Sequence, residues 1–216
     1  MKLDFIDVLQ LGRGVVFKAE CTDENRGYVV AKFLSKEFNS NEFDIMMHLH
    51  EHSGRSDLFH KPLFCKNLDG TDVIIILTNG KNITVHSPGK FIVYPFIEGE
   101  SLTNDYMSAQ DHLTFPPGEI YRDILEQITI IHALGFVHGD ICIENIIRKP
   151  NGRYTLIDYG ESFSVSHSPY IPYNYASGES IPDKQSDIKR LVNLIDYINK
   201  RSKHCPDDLL DNDKSN

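Results

Sequence analysis

Two acids, an amide and a histidine stand among apolar residues in the second half of the chain. Residues 136–147 read FVHGDICIENII, so Asp140 lies between two apolar runs with Asn145 five positions on. A further acid, Asp158, follows in LIDYG, eighteen residues after Asp140. Between them KPNGR carries an Asn-Gly pair, the residue types of a tight hairpin. A hairpin turns the chain back on itself, so both acids can face one point from neighbouring loops. Two carboxylates and an amide oxygen converging on one cleft form a hard-oxygen site suited to Mg²⁺ rather than zinc. Mg²⁺ held by so few protein ligands completes its shell with water and phosphate oxygens, which points to nucleotide chemistry.

The elements that must position these groups fall into two halves. VVFKAE (15–20) and GYVVAKFL (27–34) are rich in β-branched and aromatic residues and predict two strands, with a turn at CTDENRG. NEFDIMMHLHEH (41–52) predicts a helix in which Phe43, Met46, Met47 and Leu49 approximate one apolar face and Ser40 caps the start. PLFCKN, DVIIIL, NITVHS and KFIVYPFI predict further strands between the turn-formers DG, NG and PG. From about residue 100 the pattern turns helical. EIYRDILEQITIIHALG (119–135) sets Ile120, Ile124, Ile128 and Ile131 with Leu125 and Leu134 at helical spacing, and Gly135 suits its stop. ENIIR and YTLID flank the Asn-Gly turn, and SDIKRLVNLIDYINK (186–200) predicts a second amphipathic helix. The joint between the halves falls near residues 95–100.

Composition bounds the rest. With 216 residues, 40% apolar and 25% charged, the chain can bury a real core as one large domain or two small lobes. A net charge of −9 argues against a non-specific grip on nucleic acid. No apolar run approaches the roughly 20 residues of a membrane span. The start, MKLDFIDVLQ, lacks the apolar stretch of a signal peptide. Cys21, Cys65, Cys142 and Cys205 form no C-x-x-C and read as reduced thiols of a cytosolic protein. His48, His50 and His52 have no cysteine partner and read as a helix surface rather than a metal site.

Five motifs in order resemble the protein-kinase superfamily, over most of the chain. HGDICIEN is similar to its catalytic loop, H-x-D followed by Asn at Asp+5. IDYG is similar to the D-F-G metal motif, with Tyr159 in place of Phe. FIVYPFIEGESL (91–102) resembles the hinge that carries adenine, and VVAK the V-A-x-K strand. ASGESIPDKQSD (176–187) faintly resembles the A-P-E segment and the aspartate that opens the next helix. The resemblance implies an α+β, two-lobed protein-kinase-like fold. A β-rich N-lobe would span residues 1–97, a truncated helical C-lobe 98–201 and a polar tail 202–216.

It also implies ATP and Mg²⁺ as cofactors, with Mn²⁺ as an alternative metal. Lys32 would hold the phosphates, oriented by Glu42. Only ten residues separate the two, so Glu37 and Glu51 stay open. Asp140 would accept the hydroxyl proton, and Asn145 and Asp158 would hold the metal. Gly12, Gly14, Val16, Ala31, Tyr94 (the gatekeeper position), Phe96 and Ile97 would line the nucleotide beside Lys32. LQLGRGVVFKA carries two glycines instead of G-x-G-x-x-G. Counted back from VFKA, Gly14 is the third glycine, with Leu9 and Leu11 replacing the others. Counted forward, Gly12 and Gly14 are the first two and the turn is about three residues short. Both registers stand. Plainer readings stand beside these roles: a turn acid at Asp140, a hairpin-end aspartate at Asp158, an edge lysine at Lys32, core packing at Tyr94, and a bracing histidine at His138.

Three departures narrow the expectation. Gly139 replaces the arginine of H-R-D, which implies no pocket for a phosphorylated activation loop. H-G-D occurs in atypical kinases such as the small kinase of the KEOPS complex and in aminoglycoside phosphotransferases. Cys142 stands where many Ser/Thr kinases carry a lysine. Little chain follows Lys200, as in minimal kinases that bacterial pathogens inject or viruses encode. The expected activity is transfer from ATP to Ser or Thr of a protein, a host-cell protein among the candidates. The chain would act as a cytoplasmic monomer with no nucleic acid or membrane partner. The alternatives are a pseudokinase or binding module, a small-molecule phosphotransferase and a KEOPS-type ATPase. SFSVSHSPY (162–170) reads as a serine-rich loop or an activation segment.

Overall fold

The β-branched and aromatic runs of the first third pair as antiparallel strands. The computed structural model describes residues 1–11, 14–23, 27–36, 41–103, 116–165 and 183–202. Strands β1 (Leu3–Leu11), β2 (Gly14–Cys21), β3 (Gly27–Ser35), β4 (Phe64–Asn67) and β7 (Pro88–Pro95) form one sheet in the order β1-β2-β3-β7-β4. Between β4 and β7 a separate hairpin, β5 (Val73–Ile76) and β6 (Asn82–Val85), packs on one face of it. There Phe17, Ala31 and Phe33 meet Ile75, Leu77 and Val85. Register places Val16, Lys32 and Ile92 side by side, and Lys18, Val30 and Tyr94 beside them. Side chains alternate faces along a strand, so these six share the opposite face, the one that looks into the crease.

β1 is absent from the sequence expectation. Its pairing with β2 shifts register between Phe5 and Asp7 and again between Val8 and Gln10. Each irregularity breaks the period-two alternation by which a strand is read.

Helix α1 (Glu42–His52) starts after Asn41, whose side chain makes no cap bond. Ser40, the expected cap, lies outside the described residues. The buried face is Glu42, Ile45, Met46 and Leu49, which corrects the expected set: Phe43 and Met47 are half-buried. The reason is that α1 faces two lobes. Phe43 packs with Leu34 and Ile92 of the sheet, while Ile45, Met46 and Leu49 join a cluster with Leu58, Phe59, Ile131 and Tyr159 from further along the chain.

The second half begins with β8 (Glu100–Ser101), α2 (Pro117–Ala133) and β9 (Phe136–Val137). A hairpin of β10 (Ile146–Arg148) and β11 (Tyr154–Leu156), then β12 (Phe163–Ser164) and α3 (Lys184–Ser202), complete the described elements. Ile120, Ile124 and Ile128 of α2 pack against Leu191, Leu194 and Ile198 of α3 and against Ile146, Tyr154 and Leu156 of the hairpin. The fold is therefore α+β and two-lobed, a β-rich sheet beside a mostly helical half, in the manner of a protein kinase. Among the described residues no helix is long and apolar enough to cross a membrane.

β11 is an edge strand, in the order β11-β10-β8, and α2 covers that edge with side chains. Gln127 Oε1 accepts the Leu156 N–H at 3.0 Å and the Thr155 hydroxyl at 3.1 Å, and its Nε2 donates to the Tyr154 carbonyl at 3.1 Å. The Tyr154 N–H donates to Asp123 Oδ2 at 3.0 Å. Gln127→Leu fills the space and removes these partners from buried backbone. It should lower stability by about 3 kcal/mol. Urea unfolding would show this as a lower midpoint at unchanged slope, and a wild-type midpoint would overturn it.

Candidate functional site

The β10–β11 hairpin brings the two ends of the site together. Ile146 pairs with Leu156, and the Ile157 N–H donates to the Asn145 carbonyl at 2.9 Å, so Asn145 and Asp158 leave the hairpin at the same end. Asp158 adopts φ 60°, a left-handed conformation that an aspartate tolerates better than most residues. Its Oδ1 accepts the Gly160 N–H at 3.1 Å and the Lys32 ammonium at 2.6 Å. Lys32 also donates to Glu42 Oε2 at 2.8 Å. Of the three glutamates weighed for Lys32, Glu42 is thus the one bonded; Glu51 is exposed and Glu37 lies outside the described residues.

One cation shared by two acids sets the electrostatics. Burial alone would lower Lys32, but Asp158 and Glu42 outweigh it and hold the ammonium above its ordinary value. Burial would raise Asp158, but Lys32 holds its carboxyl below the usual range. Burial dominates at Glu42 and pushes it up despite Lys32. The phenol of Tyr94, buried beside Glu42, is pushed well above its ordinary value by burial first and by that acid second. Tyr159 sits in the cluster that joins α1 to α2, with its ring edge on His138 at 4.7 Å. The same packing therefore places Glu42 from one lobe and Asp158 from the other.

Asp140 lies on the loop between β9 and β10. Asn145, at the end of the 3₁₀ turn Ile143–Asn145, donates its Nδ2 to Asp140 Oδ2 at 2.9 Å and to the Asp140 carbonyl at 3.0 Å. The loop backbone is held from α3. Asp187 Oδ2 accepts the His138 N–H and Oδ1 the Gly139 N–H, both at 2.9 Å, and His132 Nε2 donates to Oδ2 at 2.9 Å. Gly139 has φ +81°, and a Cβ there would stand 2.6 Å from the Glu161 carbonyl oxygen, so a side chain is barred twice over. His138 is fully buried, accepts the Asp140 N–H on Nδ1 at 3.3 Å, and is pushed down by burial. Sequence reasoning noted Asp187 only as the residue that opens a helix. Its signal was an acid on the inward face of an amphipathic helix, a position that needs buried donors.

The expected nucleotide-lining residues divide. Val16 and Tyr94 share the crease face with Lys32, and Phe96 and Ile97 are half-buried at the joint. Phe96 packs edge-on to Tyr28 at 6.3 Å, with the Lys18 ammonium 4.5 Å from its ring. Ala31 is corrected: it lies with Phe17 and Phe33 under the β5–β6 hairpin, on the far side of β3 from Lys32. Alternation makes Val30 its counterpart in the crease. Gly14 opens β2, and a Cβ there would collide with the Phe33 carbonyl, so strand packing by itself requires glycine. Leu11, the last residue of β1, pairs with Val15 of β2. Gly12 lies outside the described residues, as do residues 166–182 with most of the expected A-P-E-like segment, and residues 203–216 of the tail.

Among the described residues no three His, Cys, Asp or Glu side chains gather as a metal-holding group. The donor set at the hairpin end, one carboxylate and one amide oxygen, fits a metal that takes most of its shell from phosphate and water.

No family model matches the chain. Parts of it are similar to curated kinases. A serine/threonine-protein kinase of Corynebacterium efficiens is 34% identical over 83 residues, 37% of this chain and 15% of that protein. The maternal embryonic leucine zipper kinase of Xenopus tropicalis is 32% identical over 78 residues, 35% of this chain and 12% of that protein. The RIO-type serine/threonine-protein kinase Rio2 of Methanocaldococcus jannaschii is 26% identical over 97 residues, 44% of this chain and 31% of that protein. The matched stretches thus span 12–31% of these relatives' length. These partial similarities support the protein-kinase-like superfamily and, for function, kinase-type phosphotransfer in general.

Proposed function

We propose that the chain transfers the γ-phosphoryl group of ATP to a Ser or Thr hydroxyl of a protein, as a minimal kinase. The reading rests on one observation: Lys32 is bonded at once to Glu42 of α1 and to Asp158 beyond the β11 strand, in a crease whose next loop carries Asp140 and Asn145. Lys32 holds the phosphates next to the joint, where Val16, Val30, Tyr94, Phe96 and Ile97 take the base. Asp140 aligns the substrate hydroxyl and takes its proton. Asn145 and Asp158 hold Mg²⁺, which supplies neutralisation of phosphate charge when bound. Catalysis is then mostly positioning and electrostatics in a site preset by the lobe-bridging cluster. Gly139 supports independence from loop phosphorylation, because an arginine has no room at that backbone position. The substrate is a protein met by a monomer in the cytoplasm, and a host protein is one candidate.

A second reading has an observation of its own. LQLGRGVVFKA holds two glycines where the family's phosphate-covering loop has three, which favours a nucleotide-binding module without transfer. γ-labelled ATP with purified chain, alone and with cell lysate, separates the two. Label on a discrete protein, absent with Asp158→Ala, is the expected result. ATP binding with no transfer in any lysate would replace it by the second reading.

A further inference from the structure

Asp187 and Arg190 stand three residues apart on α3, a spacing that puts them on one helix face. Asp187 is fully buried against the backbone of His138 and Gly139. One turn on, Arg190 therefore meets the next residue of that loop: its Nη1 is 3.7 Å from Asp140 Oδ1. That is an ion-pair distance, longer than a hydrogen bond. The other carboxylate oxygen, Oδ2, is taken by Asn145 at 2.9 Å. Both side chains are about two-fifths exposed, Arg190 at 40% and Asp140 at 41%, so solvent and an arriving hydroxyl reach the space between them.

The charge count of the crease gives this cation a use. Among the described residues Glu42, Asp140 and Asp158 are its acids and Lys18 and Lys32 its cations; Lys18 lies over the Phe96 ring, and Lys32 is bonded to two of the acids. The loop itself adds no cation: Cys142 stands at Asp+2. We propose that Arg190 is a catalytic residue for the phosphoryl transfer read above, reaching from α3 to the transferred group where the loop carries Cys142 and no basic side chain. In that step the substrate oxygen bonds to the γ-phosphorus as the bond to the ADP oxygen breaks. The hydroxyl proton passes to Asp140, and ADP leaves with the bonding pair. Charge is spread over the three equatorial oxygens in flight, and a planar guanidinium that stays protonated matches them.

The test compares wild type with Arg190→Ala and Arg190→Lys in two readouts: transfer kinetics, and affinity for ADP with aluminium fluoride and Mg²⁺ relative to ADP with Mg²⁺ alone. Arg190→Ala should lower kcat about 100-fold with KM for ATP within about threefold. The preference for the aluminium fluoride complex should fall about tenfold. Arg190→Lys should recover part of both, and all three proteins should unfold at the same temperature. A kcat within about threefold of wild type, or a loss confined to KM with the aluminium fluoride preference intact, overturns the role of Arg190 alone. A wild type that neither transfers phosphate nor prefers the aluminium fluoride complex overturns the kinase reading and the role with it.

Discussion

Asp140→Ala is expected to cut turnover by about three orders of magnitude while ATP affinity changes by less than about threefold. The split follows from where Asp140 stands. It is about two-fifths exposed and, among the described residues, its carboxylate is bonded to Asn145, with Arg190 at 3.7 Å, whereas Lys32, Glu42 and Asp158 are bonded among themselves. In the proposed mechanism, removing it deletes the hydroxyl's proton acceptor and leaves the proposed phosphate partners in place. Stability should change little, by about 1 kcal/mol, because a part-exposed carboxylate is lost and one of the two bonds of the Asn145 amide goes with it. Asn145 keeps its bond to the residue-140 carbonyl, which alanine retains. Steady-state kinetics beside nucleotide titration and thermal melting would check all three expectations. Wild-type turnover in this variant removes Asp140 from the chemistry. A parallel loss of nucleotide affinity would instead mark Asp140 as part of the phosphate cradle.

Much of the fold was legible because its signals are local. Ile120, Ile124, Ile128 and Ile131 of α2 repeat at helical spacing and are fully buried, and the Asn-Gly pair sits in the turn that joins β10 to β11. That turn is why the sequence lets two acids eighteen residues apart face one cleft. What stayed illegible depends on tertiary contacts. The buried face of α1 is set by two lobes at once, so a single apolar stripe misassigned Met47 for Ile45. β1 hides behind two register shifts, and the two-residue ladders β8, β9 and β12 are too short to have a period. Ala31 was assigned by its motif position, but a strand decides facing by alternation, and Lys32 fixes the parity against it. The Gly139 departure looked like a lost arginine. Its physical cause, the Glu161 carbonyl against the α-carbon, is a contact between residues 22 apart that no local pattern encodes.

The other large effect should come from a residue that never meets substrate. Asp187 satisfies two buried backbone N–H groups and His132, all at 2.9 Å, and has no exposed surface. Asp187→Ala strands those donors in the core and should lower stability by about 3–5 kcal/mol, with transfer lost because the His138–Asp140 backbone is no longer held. Asp187→Asn keeps one acceptor oxygen and should fall between alanine and wild type in both respects. A pH arm separates a structural anchor from a mere space-filler. Burial would raise the Asp187 carboxyl, but the His132 bond, His138 and the two loop amides outweigh it and hold it below its ordinary value. A carboxyl lowered on folding stabilises the chain above its unfolded value, near 4, and that contribution fades as pH falls through the folded one. The gap in urea midpoint between wild type and Asp187→Asn should therefore be full at neutral pH and shrink as the solution is acidified below about pH 4. A gap that stays constant with pH would mean the negative charge is irrelevant. Wild-type stability in Asp187→Ala would mean that α3 does not hold the loop at all.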